Sequence, residues 1–232
     1  MKNNQLIING ELLLLCERLE MARFLHVYLQ HLFRQGAVLP PLQLLNYHSL
    51  EQLPALSKQL MLIPGSDAVR RLIVFADAQN AIEERGNLIT RVRRSAYFKK
   101  REHCAHFFFP GRPANRRWRQ GYLEDLLLDT LRVDSSDGCE YHNLRNMAQE
   151  YLIGVQNCRR AYAWETAQES SNDASYKFTN FSKHLLHTYL AGTEKFVGCD
   201  IAEAARLGAF DLEHKLFAGL KRCLLAGNDE KV

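Results

Sequence analysis

The sequence predicts an α/β fold, a parallel-type sheet flanked by helices, followed by a mainly helical C-terminal region. Three observations carry this expectation. Leu12 to Cys16 and Leu72 to Phe75 are short, continuously apolar runs, and Ala105 to Phe109 is apolar but for His106, as strands covered on both faces would be. Each is followed by a helix-prone stretch, the alternation that places parallel strands between helices. Beyond Asp134 the strand signal stops and aromatic, arginine-rich and alanine-rich helical segments take over. The expected organisation is therefore an α/β domain over 1–134 and a helical region over 135–232 packed on it. A chain of 232 residues is long enough for one sizeable core and a smaller appendage.

The elements follow in order. After the first strand, Phe24, Leu25, Tyr28, Leu29 and Leu32 recur at helical spacing, and Gly36 is placed to end that helix. Residues 39–68 hold Pro40, Pro41, Pro54 and Pro64 around short apolar pieces, which reads as a connection with one short strand and one short helix. The strand ending at Phe75 leads into a helix from about Ile82 to Phe98. The third strand stops at Pro110, a basic loop follows, and a helix spans Tyr122 to Leu131. Helices are expected over 143–166 and 178–226, with a polar linker between them and breaks at Gly192, Gly198 and Gly208.

Composition narrows the function classes. Hydrophobic residues make up 47% and charged residues 24%, ordinary for a globular protein, and no apolar run approaches the roughly 18 residues of a membrane helix. The N-terminus lacks the pattern of a secretory signal, and the six cysteines are scattered without zinc spacing, so the cytoplasm fits best. No P-loop, dinucleotide-binding glycine turn, nucleophile elbow or Cys/His dyad spacing occurs, which excludes an ATPase within the chain. Net charge is only +4. The basic residues are nevertheless clustered: Arg91, Arg93, Arg94, Lys99, Lys100 and Arg101 in one segment, Arg112, Arg116, Arg117 and Arg119 in another. Such clusters are either solvated helix faces or surfaces for a polyanion.

Acids stand at comparable places in the expected architecture. Glu17 directly follows the first strand, Asp77 follows the second, and Glu124 with Asp125 comes just after the third strand and its loop. In open α/β sheets ligands gather beyond the carboxyl ends of the strands, where these groups would converge. Converging carboxylates repel unless a cation neutralises them, and hard oxygen ligands suit Mg²⁺ or Mn²⁺. Singly, each acid is equally readable as a cap for the helix that follows.

These residues resemble a family. "LLLLCERLEMARFL" is similar to the first motif of Toprim domains, a hydrophobic strand delivering a glutamate, and "IVFADAQN" to the second, an acidic D-x-D after a strand. "FFFPGRPANRRWRQGYLEDLLLDTL", "NFSKHLLHTYLAG" and "IAEAARLGAFDLEHKLFAGLKRCL" resemble segments of small bacterial Toprim-like proteins distantly related to the OLD nucleases, so the resemblance runs along nearly the whole chain. It implies a magnesium- or manganese-dependent nuclease acting on DNA or RNA. Glu17, Asp77 and Glu124 would be its catalytic and metal-binding residues, with Gln79 and Asp125 as further ligands. It also implies a role as the effector of an anti-phage system beside a separately encoded ABC- or SMC-like ATPase.

Two positions depart from the family pattern. Arg18 stands where the motif has glycine, and its side chain would crowd or neutralise the site; Gln79 replaces the second acid of D-x-D with an uncharged amide. A catalytically silent module that binds nucleic acid or a partner protein is the alternative. In "PGRPANRRWRQG", Arg112, Arg116, Arg117 and Arg119 match phosphate oxygens and Trp118 offers a stacking surface, which makes nucleic acid the expected partner. Lys183, which matches the resembled group's helix, is either a further phosphate contact or a surface lysine.

Overall fold

The computed structural model describes residues 7–77, 82–110, 112–113, 119–132, 140–167 and 181–225, with side chains outside 82–85, 112–113, 119–120, 140–143 and 159–167. Its centre is a four-stranded sheet of β1 (Leu12–Cys16), β2 (Leu42–Asn46), β3 (Arg71–Phe75) and β4 (Ala105–Phe108). The order is β2-β1-β3-β4 and every pairing is parallel, so the α/β fold class with a flanked parallel sheet is the one observed. All five residues of β1 are buried, as are the last four of β3, because both faces of the central strands are covered.

Alternation along the strands divides the core. Leu13, Leu15, Leu72 and Val74 join Leu53 and Leu60 of α2 (Leu53–Leu60), Leu88, Ile89 and Val92 of α3 (Ile82–Arg94), and Tyr97 and Phe98 of α4 (Ala96–Lys99). The intervening side chains Leu14, Ile73 and Phe75 are also inaccessible to solvent and face the other way. On that side Phe75 stacks on Phe108 at 5.4 Å between ring centroids. Helix α1 (Leu19–Arg34) packs on β1 and β2 and buries Phe24, Leu25 and Tyr28. It ends as expected, with Gly36 in the left-handed region at φ 81°.

Two expectations about the elements need correction. The helix expected from Ile82 to Phe98 is two helices, because the Ser95 backbone is extended and its hydroxyl donates to the Val92 carbonyl at 2.6 Å. The division at 134/135 is also displaced. The chain forms two compact units, Met1–Leu126 with Asp211–Val232, and Leu127–Phe210. The last helix, α9 (Ala218–Leu225), belongs to the first unit for a packing reason. Phe217 lies 5.2 Å from the Tyr28 ring and 6.0 Å from Phe24, α9 contacts β4, and Arg71 donates to the Leu224 carbonyl at 2.7 Å. Each such aromatic side chain, fully buried, contributes about 1.5 to 3 kcal/mol, and without this return α1 would leave apolar surface in water.

A short antiparallel pair, β5 (Arg112–Pro113) and β6 (Arg119–Gln120), precedes α5 (Leu123–Leu128). The second unit contains α6 (Glu140–Ala167), α7 (Phe181–Ala191) and α8 (Ile201–Arg206), with α6 and α7 in contact. The C-terminal region is thus helical, as expected. Among the described residues no helix is long and apolar enough to cross a membrane.

Candidate functional site

The sheet order creates a place for a site. From β1 the chain moves outward to β2, whereas from β3 it moves the other way to β4, so the connections diverge between the carboxyl ends of β1 and β3. Open α/β sheets form their ligand crevice at such a switch point. Glu17 follows β1 directly and Asp77 stands two residues beyond β3; both are buried, at 6% and 3% exposure. Glu124, in the first turn of α5, is completely buried. Three of the acids singled out by sequence are therefore brought together inside the first unit.

Each has partners. The two carboxylate oxygens of Glu17 accept the backbone N–H groups of Leu50, at 3.2 Å, and Asp77, at 3.0 Å. Glu17 thus ties the ends of β1 and β3 to the turn after β2. Asp77 accepts the Leu123 N–H through Oδ1 at 2.9 Å, satisfying an orphan donor at the start of α5. A capping role is thus present, for a helix 46 residues away in the sequence. Asp125 accepts the Tyr122 N–H at 2.8 Å. Its carboxylate lies against Gly121, at φ 108°, where a Cβ would overlap it.

The cation in the centre is Arg18. Its guanidinium forks onto Glu124, Nη1 to Oε1 at 3.0 Å and Nη2 to Oε2 at 3.2 Å, and Nη2 also reaches Asp77 Oδ2 at 2.9 Å. Glu20, in the first turn of α1, adds a contact from its Oε2 to Nη1 at 3.3 Å. The planar fork suits paired carboxylates in a way that a lysine could not. Arg18 Nε is buried without a hydrogen-bond partner among the described residues.

The Arg18 guanidinium faces two buried carboxyl groups, and the balance appears in the titration of Asp77. Burial pushes the Asp77 carboxyl up to about 7, with Arg18 opposing the shift and the charges of Glu124 and Glu17 adding to it. Burial alone would lower the Arg18 guanidinium, but its hydrogen bond to Glu124 and the charges of Asp77, Glu124 and Glu20 raise it above its ordinary value. The centre therefore holds a permanent cation and one carboxyl that exchanges its proton near neutrality.

This donor set does not fit a divalent metal as it stands. Both oxygens of Glu17 are engaged by backbone, both of Glu124 by Arg18, and Asp77 by one of each. Among the described residues, no group of three or more His, Cys, Asp or Glu side chains is placed to hold a metal ion. Lewis-acid chemistry would require Arg18 to leave.

Gln79, Arg116, Arg117 and Trp118 lie outside the described residues. Arg112 and Arg119 stand on the facing strands β5 and β6, described through their backbones. Lys183 is on α7 of the second unit, half-buried. Two contributors were missed by sequence reasoning. The Leu123 N–H carries no residue-type signal at all, and Glu20 reads as an ordinary first-turn acid. No family model matches the chain, and no curated protein or solved structure matches it.

Proposed function

We propose that the chain is a catalytically silent, Toprim-like module that binds nucleic acid, with Arg18 supplying the positive charge that a divalent metal would otherwise bring to the acidic centre. The observation carrying this reading is the Arg18 guanidinium bridging Asp77 and Glu124, both buried. A centre whose Asp77 and Glu124 are paired with Arg18 needs no metal to fold, and the arginine occupies the carboxylate oxygens that a metal would take. Nucleic acid is favoured as the ligand because the same unit carries two arginine-rich segments, which match phosphate geometry.

A second reading is favoured by the convergence of Glu17, Asp77 and Glu124 at the switch point of the sheet. In it the chain is a metal-dependent nuclease of DNA or RNA, using Mg²⁺ or Mn²⁺ once Arg18 is withdrawn, and a separate ATPase is the natural agent for that withdrawal. Isothermal titration with Mn²⁺ and Mg²⁺, paired with a cleavage assay on labelled single- and double-stranded substrates, separates the two. The silent module takes up no metal as wild type, cleaves nothing, and binds oligonucleotide equally well in EDTA. Stoichiometric metal uptake lost in Glu17→Gln and Asp77→Asn, accompanied by cleavage, establishes the second reading and overturns the first.

A further inference from the structure

We propose that the surface formed by the last turn of α3 together with α4 binds the phosphodiester backbone of nucleic acid, independently of base sequence. The inference rests on the nucleic-acid-binding reading above and assigns a place to it. Arg91, Arg93 and Arg94 occupy the last turn of α3, and Lys99 and Lys100 the end of α4 and its cap. All five are exposed, while their neighbours Val92, Tyr97 and Phe98 anchor the two helices in the core. The cationic groups are thus held on a rigid support.

Two features separate this cluster from an ordinary solvated helix face. No ion pair engages Arg91, Arg94, Lys99 or Lys100 among the described residues; the described acids nearby are the exposed Glu102 in the connecting turn and the exposed Asp67, which pairs with Arg101. Helix faces made soluble by charge usually mix the two signs. The second feature is orientation. The Arg93 guanidinium lies over the Phe107 ring, 5.2 Å from its centroid, and Phe107 stands on the edge strand β4. The ring contact anchors the Arg93 guanidinium at the sheet edge, and its five N–H donors cannot all be used by the ring face, which leaves donors for a phosphate oxygen.

The occupant follows from the chemistry. An anionic lipid surface would call for apolar side chains beside the cations to enter the acyl boundary. Between Gly86 and Pro110 no large apolar side chain is exposed. A chain of phosphates can satisfy several clustered, unpaired cations at once, and each contact releases condensed counterions. Clustered Arg and Lys side chains meet phosphate oxygens on any duplex or single strand, so the contacts proposed are to the backbone, and the mixed-sequence probe tests this.

The test is fluorescence anisotropy with a labelled mixed-sequence duplex and the matching single strand, in EDTA, across a salt series. Wild type is compared with a fourfold charge reversal, Arg91→Glu, Arg94→Glu, Lys99→Glu and Lys100→Glu, and with the milder pair Arg94→Ala and Lys99→Ala. Circular dichroism verifies each fold. The expected result is a loss of at least tenfold in affinity on reversal. The log–log salt slope should also become shallower by about three to four, given about 0.9 per phosphate contact. If the reversal misfolds, the milder pair must lower affinity and shift the slope by about two. Undiminished binding by the folded variants overturns this surface and leaves the nucleic-acid reading standing. No binding of either oligonucleotide by wild type overturns both. Binding to phosphatidylserine vesicles without oligonucleotide binding overturns the choice of nucleic acid.

Discussion

The first unit contains two concentrations of charge that solve opposite problems. At the switch point between β1 and β3, three acids are drawn out of water, Asp77 and Glu124 against Arg18 and Glu17 against backbone N–H groups. At the end of α3 and α4, five cations of one sign stand in water without an ion pair among the described residues. In the first, a removed partner leaves a buried charge and the fold responds. In the second, a removed charge leaves only water, and the fold should be indifferent. Burial, more than the number of charges, decides whether a cluster speaks to stability or to binding.

The sharpest way to break the contrast is Arg18→Met. It leaves the carboxylates of Asp77 and Glu124 buried without their cation, and the expected cost is about 3 to 5 kcal/mol in denaturant unfolding at neutral pH. The loss should shrink in acid, where the Asp77 carboxyl holds its proton, and Mn²⁺ should recover part of it. A variant as stable as wild type at every pH would show that the guanidinium is a spectator.

Next in size is the pH dependence due to Asp77. Its carboxyl titrates near 7 in the folded protein against an ordinary 3.8, so the folded state holds the proton more tightly. The stability this confers is fully present below pH 3.8 and is lost as pH rises to about 7. The swing is about 4 kcal/mol at about 1.4 kcal/mol per unit. In Asp77→Asn this contribution is absent, so the variant should gain on wild type between acid and neutral pH. A stability difference between the two proteins that stays flat across that window would remove Asp77 as the titrating group.

Smaller still is Tyr28→Phe. The Tyr28 hydroxyl is buried without a hydrogen-bond partner among the described residues, and burial pushes it above its ordinary range. Deleting an unsatisfied polar atom should be neutral or stabilising by about 1 kcal/mol in thermal unfolding, and a marked loss would reveal a hidden partner. Smallest of all is the fourfold charge reversal of the basic surface, which should leave the melting temperature unchanged while affecting binding. A large fall in melting temperature would collapse the distinction between the two clusters.

Much of this was legible from residue patterns. The strands at Leu12 to Cys16 and Leu72 to Phe75 announce themselves by unbroken apolar runs, and the acids at their ends follow from position alone. Arg18 was legible as an intruder, because an arginine beside a strand-end glutamate has to go somewhere. What could not be read was mutual arrangement. Nothing in the pattern of α9 says that its apolar stripe meets Phe24 and Tyr28, since amphipathicity gives a face without naming its target. The break at Ser95 depends on one hydroxyl choosing the Val92 carbonyl, a local competition too fine for periodicity. Asp77 capping α5 is a contact across 46 residues and has no local signature.

The return of α9 to the sheet has a consequence for how the protein is made. Phe24 and Tyr28 emerge early from the ribosome, and their packing partner Phe217 only after the whole second unit has been synthesised. Until then α1 presents bare aromatic rings, a natural point of capture for chaperones, and the first unit can close its core only when translation has reached its final helix.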